Sequence, residues 1–312
     1  MGDYIRPTEL ENALSVLSKG GWKVLAGGTD YYPAKVNLNL DDNILDLTAL
    51  ESLRGISKQN NGWLIGATTT WTDVVRTNLP TLFDGLKSAA REVGGIQIQN
   101  SGTVGGNICN ASPAADGVAA LIALDAEVKI IGPNSERKLP LKDFVLGNRK
   151  TALAANELLK GIWIPEIKSE NLSSSFLKLG SRKYLVISLV MVSGVVGWTS
   201  DGTITDIRIC LGACSPVATR LHKLEQSLLG NQLTSDLAQK VEDHHFNELH
   251  PIDDVRASAE YRIEAAQILV KRLLSGSLMI RKLFAAMPAP FFVAFAKAKV
   301  EPVIVMGILK AN

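Results

Sequence analysis

The sequence predicts an α+β protein in which an α/β unit is followed by a smaller α+β unit with an antiparallel sheet. Up to about residue 165, apolar runs typical of buried strands alternate with segments of helical periodicity. A polar segment at 165–171 then forms a predicted linker between the two units. Two apolar runs joined by the turn Ser200-Asp201-Gly202 follow it, which indicates an antiparallel pair, and the rest is helical in pattern up to residue 274.

In the first unit, Thr8 is the predicted N-cap of a helix that Gly20-Gly21 ends, and Thr72 is the predicted N-cap of a second helix over 73–78. Two further helices are predicted on either side of a glycine-rich segment at 94–106. These helices cover 82–93 and 113–124, and the predicted strands cover 22–25, 43–47, 63–67, 126–131 and 161–164.

In the second unit, strands are predicted first and helices afterwards, with no internal repeat and no low-complexity tract. The strands cover 174–179, 187–198 and 204–211, and the helices cover 218–229, 233–247 and 257–274.

The composition is that of an ordinary globular protein and argues against several classes. With 46% apolar and 21% charged residues, long disorder is not expected. The 33 Lys+Arg against 31 Asp+Glu leave a net charge of +2, so we expect no nucleic-acid partner. The most apolar run, 185–198, is shorter than the roughly 20 residues of a membrane-spanning helix. Because the first residues also lack a signal-like stretch, we expect a cytoplasmic protein without a transmembrane segment.

The three cysteines, Cys109, Cys210 and Cys214, exclude two kinds of site. They cannot form a disulfide framework, which favours a reducing compartment. An iron–sulfur cluster normally needs about four thiolates, so this chain is not expected to carry one. If the protein performs redox chemistry, it does so with another cofactor.

The first candidate binding segment is the turn that follows the strand 22–25. Gly27 and Gly28 permit close backbone approach, and several N–H groups of this turn can point toward one anion, such as a diphosphate. The segment is neither a G-x-G-x-x-G fingerprint nor a P-loop, and by itself it is more typical of a plain tight turn.

The second candidate segment covers 101–116. It contains three glycines, several hydroxyl and amide side chains and a helix start at Ser112-Pro113 that favours an anion, with Asp116 in the first turn. Asp116 alone could simply complement the helix dipole. Two glycine-rich polar segments in one chain, however, are what a long ligand with a diphosphate in its middle requires.

Several motifs in chain order make the sequence resemble the FAD-binding (medium) subunit of the molybdenum hydroxylases, the family of xanthine dehydrogenase and aerobic carbon monoxide dehydrogenase. The resemblance covers about residues 1–275. It rests on the segments 26–30, 103–108, 112–116, 146–153, 157–165, 176–182, 211–220 and 254–262.

The resemblance implies a vanillyl-alcohol-oxidase-like FAD fold and three segments of chain. The FAD-binding domain would cover 1–170, with subdomains at about 1–55 and 56–170. A C-terminal α+β flavoprotein domain would cover 171–287. The apolar tail 288–312 departs from the family pattern, and we expect it to act as a docking arm.

The resemblance also implies the residues that contact FAD. The first segment would wrap the diphosphate through backbone amides, and the second would serve the diphosphate and the ribityl chain. Asp116 would bind the adenosine side, Leu159 would contact flavin through its main chain, and Lys178 would stabilise negative charge at N1 of the isoalloxazine ring. The implied residues are Lys23, Val24, Leu25, Ala26, Gly27, Gly28, Thr29, Asp30, Thr103, Val104, Gly105, Gly106, Asn107, Asp116, Leu159 and Lys178.

The function implied is that of an oxidoreductase subunit that passes electrons from a partner's clusters through FAD to an external acceptor. The partners would be a large molybdopterin-binding subunit and a small subunit with two [2Fe–2S] clusters, arranged as a dimer of heterotrimers. No substrate-transforming residue is predicted in this chain, and the three histidines at 244, 245 and 250 lack the carboxylate or cysteine pattern of a metal site. Two alternatives stay open: a self-sufficient FAD-dependent oxidoreductase, and a non-catalytic scaffold that retains the fold.

Overall fold

The computed structural model describes residues 2–36 and 41–278, and each of its three main sheets is formed by one stretch of the chain. The first sheet is parallel with strand order β1-β3-β2, the second is antiparallel with order β4-β5-β10-β6-β7, and the third is antiparallel with order β11-β12-β13-β14. The predicted docking arm 288–312 lies outside the described residues. The strands are β1 Tyr4–Ile5, β2 Trp22–Leu25, β3 Asn43–Asp46, β4 Ile56–Gln59, β5 Gly62–Gly66, β6 Glu127–Ile131, β7 Glu136–Pro140, β8 Val145–Gly147, β9 Lys150–Thr151, β10 Leu158–Pro165, β11 Asn171–Leu179, β12 Val190–Trp198, β13 Ile204–Gly212 and β14 Thr219–Arg220.

The helices lie mainly against the second and third sheets. Short 3-10 turns at Pro33–Lys35, Glu51–Leu53, Thr81–Phe83, Ser235–Lys240 and Asp243–Phe246 connect them, and a π-helical turn at Leu273–Ser277 ends the described chain. No helix within 2–36 or 41–278 is long and apolar enough to cross a bilayer. The α-helices are α1 Leu10–Ser18, α2 Trp71–Arg76, α3 Asp84–Glu92, α4 Ile96–Ser101, α5 Val104–Asn110, α6 Asp116–Ala123, α7 Leu141–Phe144, α8 His222–Leu228 and α9 Ala259–Arg272.

The first sheet brings the end of β2 beside the end of β3. Leu25 pairs with Asp46, and α1 packs its buried Ala13 and Leu17 into the small core around this sheet. The N-cap of α1 is Glu9, so the predicted cap Thr8 is wrong by one residue, and Glu9 makes no side-chain capping bond. Because β2 and β3 are parallel, the loop that follows β2 leaves the sheet at the same edge as the turn after β3.

The glycine-rich segment 94–106 is not one extended loop, because it contains α4 and the start of α5. The hydroxyl of Thr103 accepts from the Gly106 amide at 3.0 Å and caps α5. The following helix also starts later than predicted, at Asp116 rather than at Pro113. The glycines here provide close packing as well as a turn, since a Cβ at Gly105 would lie 2.6 Å from the carbonyl oxygen of Ala67.

The central strand of the third sheet, β12, is buried along its whole length. Met191 and Val195 pack into the core shared with the second sheet, while Val192 and Val196 pack into the core shared with α9. A strand covered on both faces reads as a continuous apolar run, which is the pattern seen in the sequence. α3 and α6 lie against this sheet and join the two parts of the chain.

The predicted helix over 233–247 is wrong. The structure has two 3-10 turns there, and Val241 and Glu242 between them are extended. The reason is local: the Glu242 amide donates to Nδ1 of His245, which starts a new capped turn. Leu237 and Phe246 are nevertheless buried in one core, so their apolar spacing reflects packing without a continuous helix.

Candidate functional site

The first predicted segment forms a turn whose backbone amides are not used by the rest of the described chain. No hydrogen bond among the described residues uses the N–H groups of Gly27, Gly28, Thr29 or Asp30. Gly28 has a φ of +68°, a conformation that favours glycine. Consecutive unpaired amides in such a turn form a concave site for an anion.

The two predicted segments are in direct contact. A Cβ at Gly27 would lie 2.0 Å from the carbonyl oxygen of Ser101, so only glycine fits at this crossing. On the other side, a Cβ at Gly102 would lie 3.4 Å from the hydroxyl oxygen of Thr29. The structure thus brings together two segments that are about 75 residues apart in the sequence.

The amides of the second segment are engaged inside the protein, unlike those of the first. Val104 N–H donates to Thr69 O and Gly105 N–H to Ala67 O, both at 2.9 Å. The Gly106 amide donates to the Thr103 hydroxyl, and the Asn107 amide donates to the Thr103 carbonyl at 3.0 Å. A ligand therefore meets side chains here rather than a second row of free amides.

Asn107 supplies the clearest sign of a missing partner in this segment. Its Oδ1 atom is buried and has no hydrogen-bond partner in the part of the chain that the structure describes. The same atom would lie 2.9 Å from a Cβ placed on Gly117, at the start of α6. A buried acceptor without a donor is costly, so this atom fits a site completed by a hydroxyl or amide of a ligand.

A cavity of about 240 Å³ lies between the two segments. Glycine and hydroxyl or amide side chains make up most of its wall, which suits a polar ligand with phosphate groups. Its lining residues are Ala26, Gly27, Thr48, Arg54, Thr68, Thr70, Asn100, Ser101 and Thr103.

Asp116 and Lys178 form a buried ion pair. Nζ of Lys178 lies 2.6 Å from Oδ2 of Asp116, and both side chains are only 7% exposed. Ser188 donates to the other carboxylate oxygen at 2.6 Å, and Lys178 also donates to the Glu92 carbonyl. Burial raises the pKa of Asp116, and the neighbouring ammonium opposes that rise.

This pairing places side by side two residues whose expected roles were different. One was expected at the adenosine side of the cofactor and the other at the isoalloxazine ring, which are opposite ends of an extended FAD. Because their side chains are 2.6 Å apart, the two roles cannot both hold for one extended cofactor. Lys178 lies in β11 and Asp116 is the first residue of α6. The sequence alone does not reveal that these two elements meet.

The remaining predicted residues lie apart from the cavity wall. Leu159 is in β10 opposite Ile130, and the residue is buried in the core with 4% of its surface exposed. Lys23 pairs with Asp42 at 2.9 Å, and Val24 is exposed on β2. Leu25 is buried beneath the first turn.

Several residues of this region were not predicted as site residues. Arg149, at the tip of the β8–β9 hairpin, donates to Asp30 at 3.0 Å, and Asn110 donates to the same carboxylate at 3.4 Å. Arg54 and Thr70 line the cavity. Arg149 lies in the segment 146–153, one of those on which the family resemblance rests. No spacing pattern in the sequence points to Arg54.

The described residues include no group of three or more histidine, cysteine or acidic side chains placed to hold a metal ion. All three cysteines are free thiols. Burial raises the pKa of Cys109 and of Cys214 to about 12, so both are thiols rather than thiolates near neutral pH.

Comparison with known proteins identifies the family. The family model described as the FAD binding domain in molybdopterin dehydrogenase matches residues 1–167. The chain belongs to this family. A second model, described as the CO dehydrogenase flavoprotein C-terminal domain, matches residues 175–276.

The similarity extends over almost the whole length of the curated relatives. The xanthine dehydrogenase FAD-binding subunit of Escherichia coli O157:H7 is 28% identical over 279 residues, covering 87% of this chain and 94% of the relative. The carbon monoxide dehydrogenase medium chain of Hydrogenophaga pseudoflava is 30% identical over 283 residues, covering 88% and 96%. The resemblance expected from the sequence is confirmed, and the chain is a flavoprotein subunit of the oxidoreductase class.

Solved structures confirm the fold. A carbon monoxide dehydrogenase from Hydrogenophaga pseudoflava matches with a TM-score of 0.77 and 29% identity, covering 87% of this chain and 95% of that one. The reconstituted CO dehydrogenase from Oligotropha carboxidovorans matches with a TM-score of 0.79 and 26% identity, covering 87% and 96%.

The residues present fit the FAD that the family implies. Within the described residues, four amides after β2 have no partner and a buried amide oxygen of Asn107 lacks a donor, and residues of both segments line one polar cavity. A diphosphate suits the first feature, and the hydroxyl groups of the flavin side chain suit the second.

Proposed function

We propose that this chain is the FAD-containing electron-transfer subunit of a heteromeric molybdenum hydroxylase. It receives electrons from two [2Fe–2S] clusters in a small partner subunit and passes them to an external acceptor. A large molybdopterin-binding subunit carries the substrate chemistry. The complex is a dimer of heterotrimers in the cytoplasm. Support comes from relatives matched over 94–96% of their length, which are named as FAD-binding subunit or medium chain.

The domain division follows the sheets of the chain. The first and second sheets, with the candidate site between them, form the FAD-binding domain 1–170, with subdomains at about 1–55 and 56–170. The third sheet and α9 belong to the C-terminal domain that starts at about residue 171.

The observation that carries the proposal is the set of unpaired groups at the candidate site. The amides of Gly27, Gly28, Thr29 and Asp30 hold the diphosphate, and Oδ1 of Asn107 accepts from a hydroxyl of the ribityl chain. FAD, when bound there, supplies the ability to take up electrons one at a time and release them as a pair. The chain's own contribution is to bind and orient the cofactor and to exclude water from its diphosphate.

Asp116 and Lys178 contribute at one end of the cofactor only. Their ion pair closes the space between α6 and β11, and Lys178 provides the positive charge at that position. We assign both residues to the flavin end, because a buried ammonium there stabilises the negative charge of a reduced ring. The adenosine side is then left to other residues.

Replacement of Gly106 by leucine tests the proposal. A Cβ at Gly106 would meet only the Thr103 hydroxyl oxygen, at 2.9 Å, whereas at Gly27 and Gly105 it would meet backbone atoms. Gly106→Leu is therefore the glycine substitution here that best preserves the fold. We expect the purified full-length wild type to carry flavin absorbance at about one FAD per chain, and the variant to lose it without a large change in Tm.

The alternatives predict different results in the same preparation. A self-sufficient FAD enzyme would reduce its acceptor with an organic substrate in the absence of partners, and we expect no such turnover. If the chain is a scaffold that has lost the cofactor, the purified wild-type protein would be colourless and would bind no added FAD. Either result would contradict the electron-transfer role.

A further inference from the structure

Arg54 lies in the cavity between the two glycine segments, and no predicted role involves it. It is the only charged residue among those that line the cavity. Its backbone position is fixed by close packing, since a Cβ at Gly66 would lie 2.3 Å from Leu53 O and 2.9 Å from Arg54 N. A cation is thus placed where an anionic group of a ligand would lie between the segments.

Asp73 holds the guanidinium of Arg54 in place. Nε and Nη2 donate to Oδ2 of Asp73 at 3.1 and 2.8 Å. Asp73 is itself bound to Thr70 in both directions, and Thr70 pairs with Thr103 at the start of α5. Arg54 is therefore connected to the second segment through a chain of hydrogen bonds.

The hydrogen bonds to Asp73 use only part of the guanidinium. An arginine side chain has five N–H groups, and two of those in Arg54 are accounted for by Asp73. The Nη1 group has no partner within the described parts of the chain, 2–36 and 41–278. Donors are thus left for a ligand, in the planar arrangement that suits phosphate oxygens.

Arg54 adds a charged donor to a site whose other free donors are backbone amides. The diphosphate of FAD carries two negative charges, and the free amides of the first segment provide only dipoles. The amides of the second segment are already engaged, and Asp30 adds a negative charge that Arg149 balances. Arg54 is the one charged residue among those that line the cavity, and Asp73 balances its charge at 2.8 Å. What Arg54 offers a diphosphate is therefore its unengaged N–H donors.

We propose that Arg54 donates hydrogen bonds to the diphosphate of FAD and makes the site selective for a flavin that carries a diphosphate. This inference rests on the proposed function, because it takes FAD as the ligand. Arg54 is a binding residue in this role, with Asp73 as its positioning residue. The free amides of the first segment and Arg54 hold the diphosphate from two sides.

The test compares three ligands on the full-length apo chain. FAD contains the diphosphate, ADP contains the diphosphate without the flavin, and riboflavin contains the flavin without phosphate. For Arg54→Gln we expect the affinities for FAD and ADP to fall about 10- to 100-fold, as for loss of hydrogen bonds to a charged group. Riboflavin affinity should change by less than a factor of two. Flavin fluorescence and calorimetry provide the readout.

A matched control lies on the same part of the chain. Arg76 is exposed at the last turn of α2 and does not line the cavity, so Arg76→Gln removes the same charge without the contact. It should leave all three affinities unchanged. Arg54→Lys, which keeps the charge but not the planar fork, should fall between the wild type and Arg54→Gln.

Three outcomes are decisive. FAD binding by Arg54→Gln within a factor of two of wild type would overturn the role of Arg54. An equal loss of FAD and riboflavin, with a lower Tm, would also overturn it in favour of a purely structural role. A wild-type chain that binds no FAD would instead contradict the proposed function itself.

Discussion

The carboxylate of Asp116 and the ammonium of Lys178 are almost wholly removed from solvent, and this makes the pair sensitive to loss of either partner. Removing one member of a buried ion pair leaves an unpaired charge and typically costs about 3–5 kcal/mol. We therefore expect Lys178→Met or Asp116→Asn alone to lower the free energy of unfolding by about that amount. Urea unfolding of each single variant measures it.

The double variant Asp116→Leu/Lys178→Met separates stability from cofactor binding. Replacing both charges by apolar groups leaves no unpaired charge, so it should be clearly more stable than either single variant. If the folded double variant has lost its flavin, the pair belongs to the cofactor site. If Lys178→Met and Asp116→Asn are each as stable as the wild type, the ion pair is hydrated, which would contradict its burial.

At the scale of single residues, the sequence predicted the neighbourhood of the site better than the roles within it. Gly27 and Gly28 could be recognised only because a second glycine-rich polar segment occurs later in the chain, since by themselves they also fit a plain turn. The contact of Asp116 with Lys178 joins residues 62 positions apart, so no local pattern reports it. Arg54 is likewise a single arginine whose environment depends on the folded cavity.

At the scale of elements, strands were predicted more accurately than helix boundaries. β2 has the predicted range, because a short apolar run between glycines allows few alternatives. No helix was predicted within the glycine-rich segment 94–106, because glycine disfavours helices in general, yet α4 and the start of α5 lie there. Here Gly105 permits α5 to pass within contact distance of Ala67, and tertiary packing offsets the poor propensity.

The start of α2 provides a test at this scale. Thr72 was the predicted cap, but the structure has Thr70 in a capping box with Asp73, and Thr72 instead contacts Asn100. Thr70→Ala should lower the free energy of unfolding by about 1 kcal/mol, as for loss of a helix cap. Thr72→Ala should change it by less than about 0.5 kcal/mol. Chemical denaturation of both variants measures this, and the opposite order would contradict the cap.

At the scale of the whole molecule, the two parts of the chain share one core and several polar contacts. Phe176 and Met191 of the third sheet belong to the same buried cluster as the helices of the first part. The hydroxyl of Ser174 in β11 donates to the Leu82 carbonyl at 2.6 Å and accepts from the Gly85 amide at 2.8 Å. Lys178 of β11 and Asp116 of α6 also meet across this junction, so under the proposed function we expect cofactor binding to depend on both parts.

Asp125 connects the two parts by charge, and its replacement tests their coupling. The residue follows α6 with a φ of +50°, and its carboxylate pairs with Arg208 of β13 and Arg220 of β14. Asn tolerates the same backbone conformation, so Asp125→Asn removes the charge with little strain. We expect one calorimetric transition in the wild type and a fall in Tm of about 2–4 °C in the variant.

The control for this variant is Asp236→Asn, which removes an exposed carboxylate that makes no ion pair with any described residue. It should leave Tm unchanged to within about 1 °C. A wild type that unfolds in two separate transitions would contradict the coupling, because the junction would then not hold the two parts as one unit. Added FAD should raise Tm without splitting the transition, since a ligand bound across the junction stabilises both parts together.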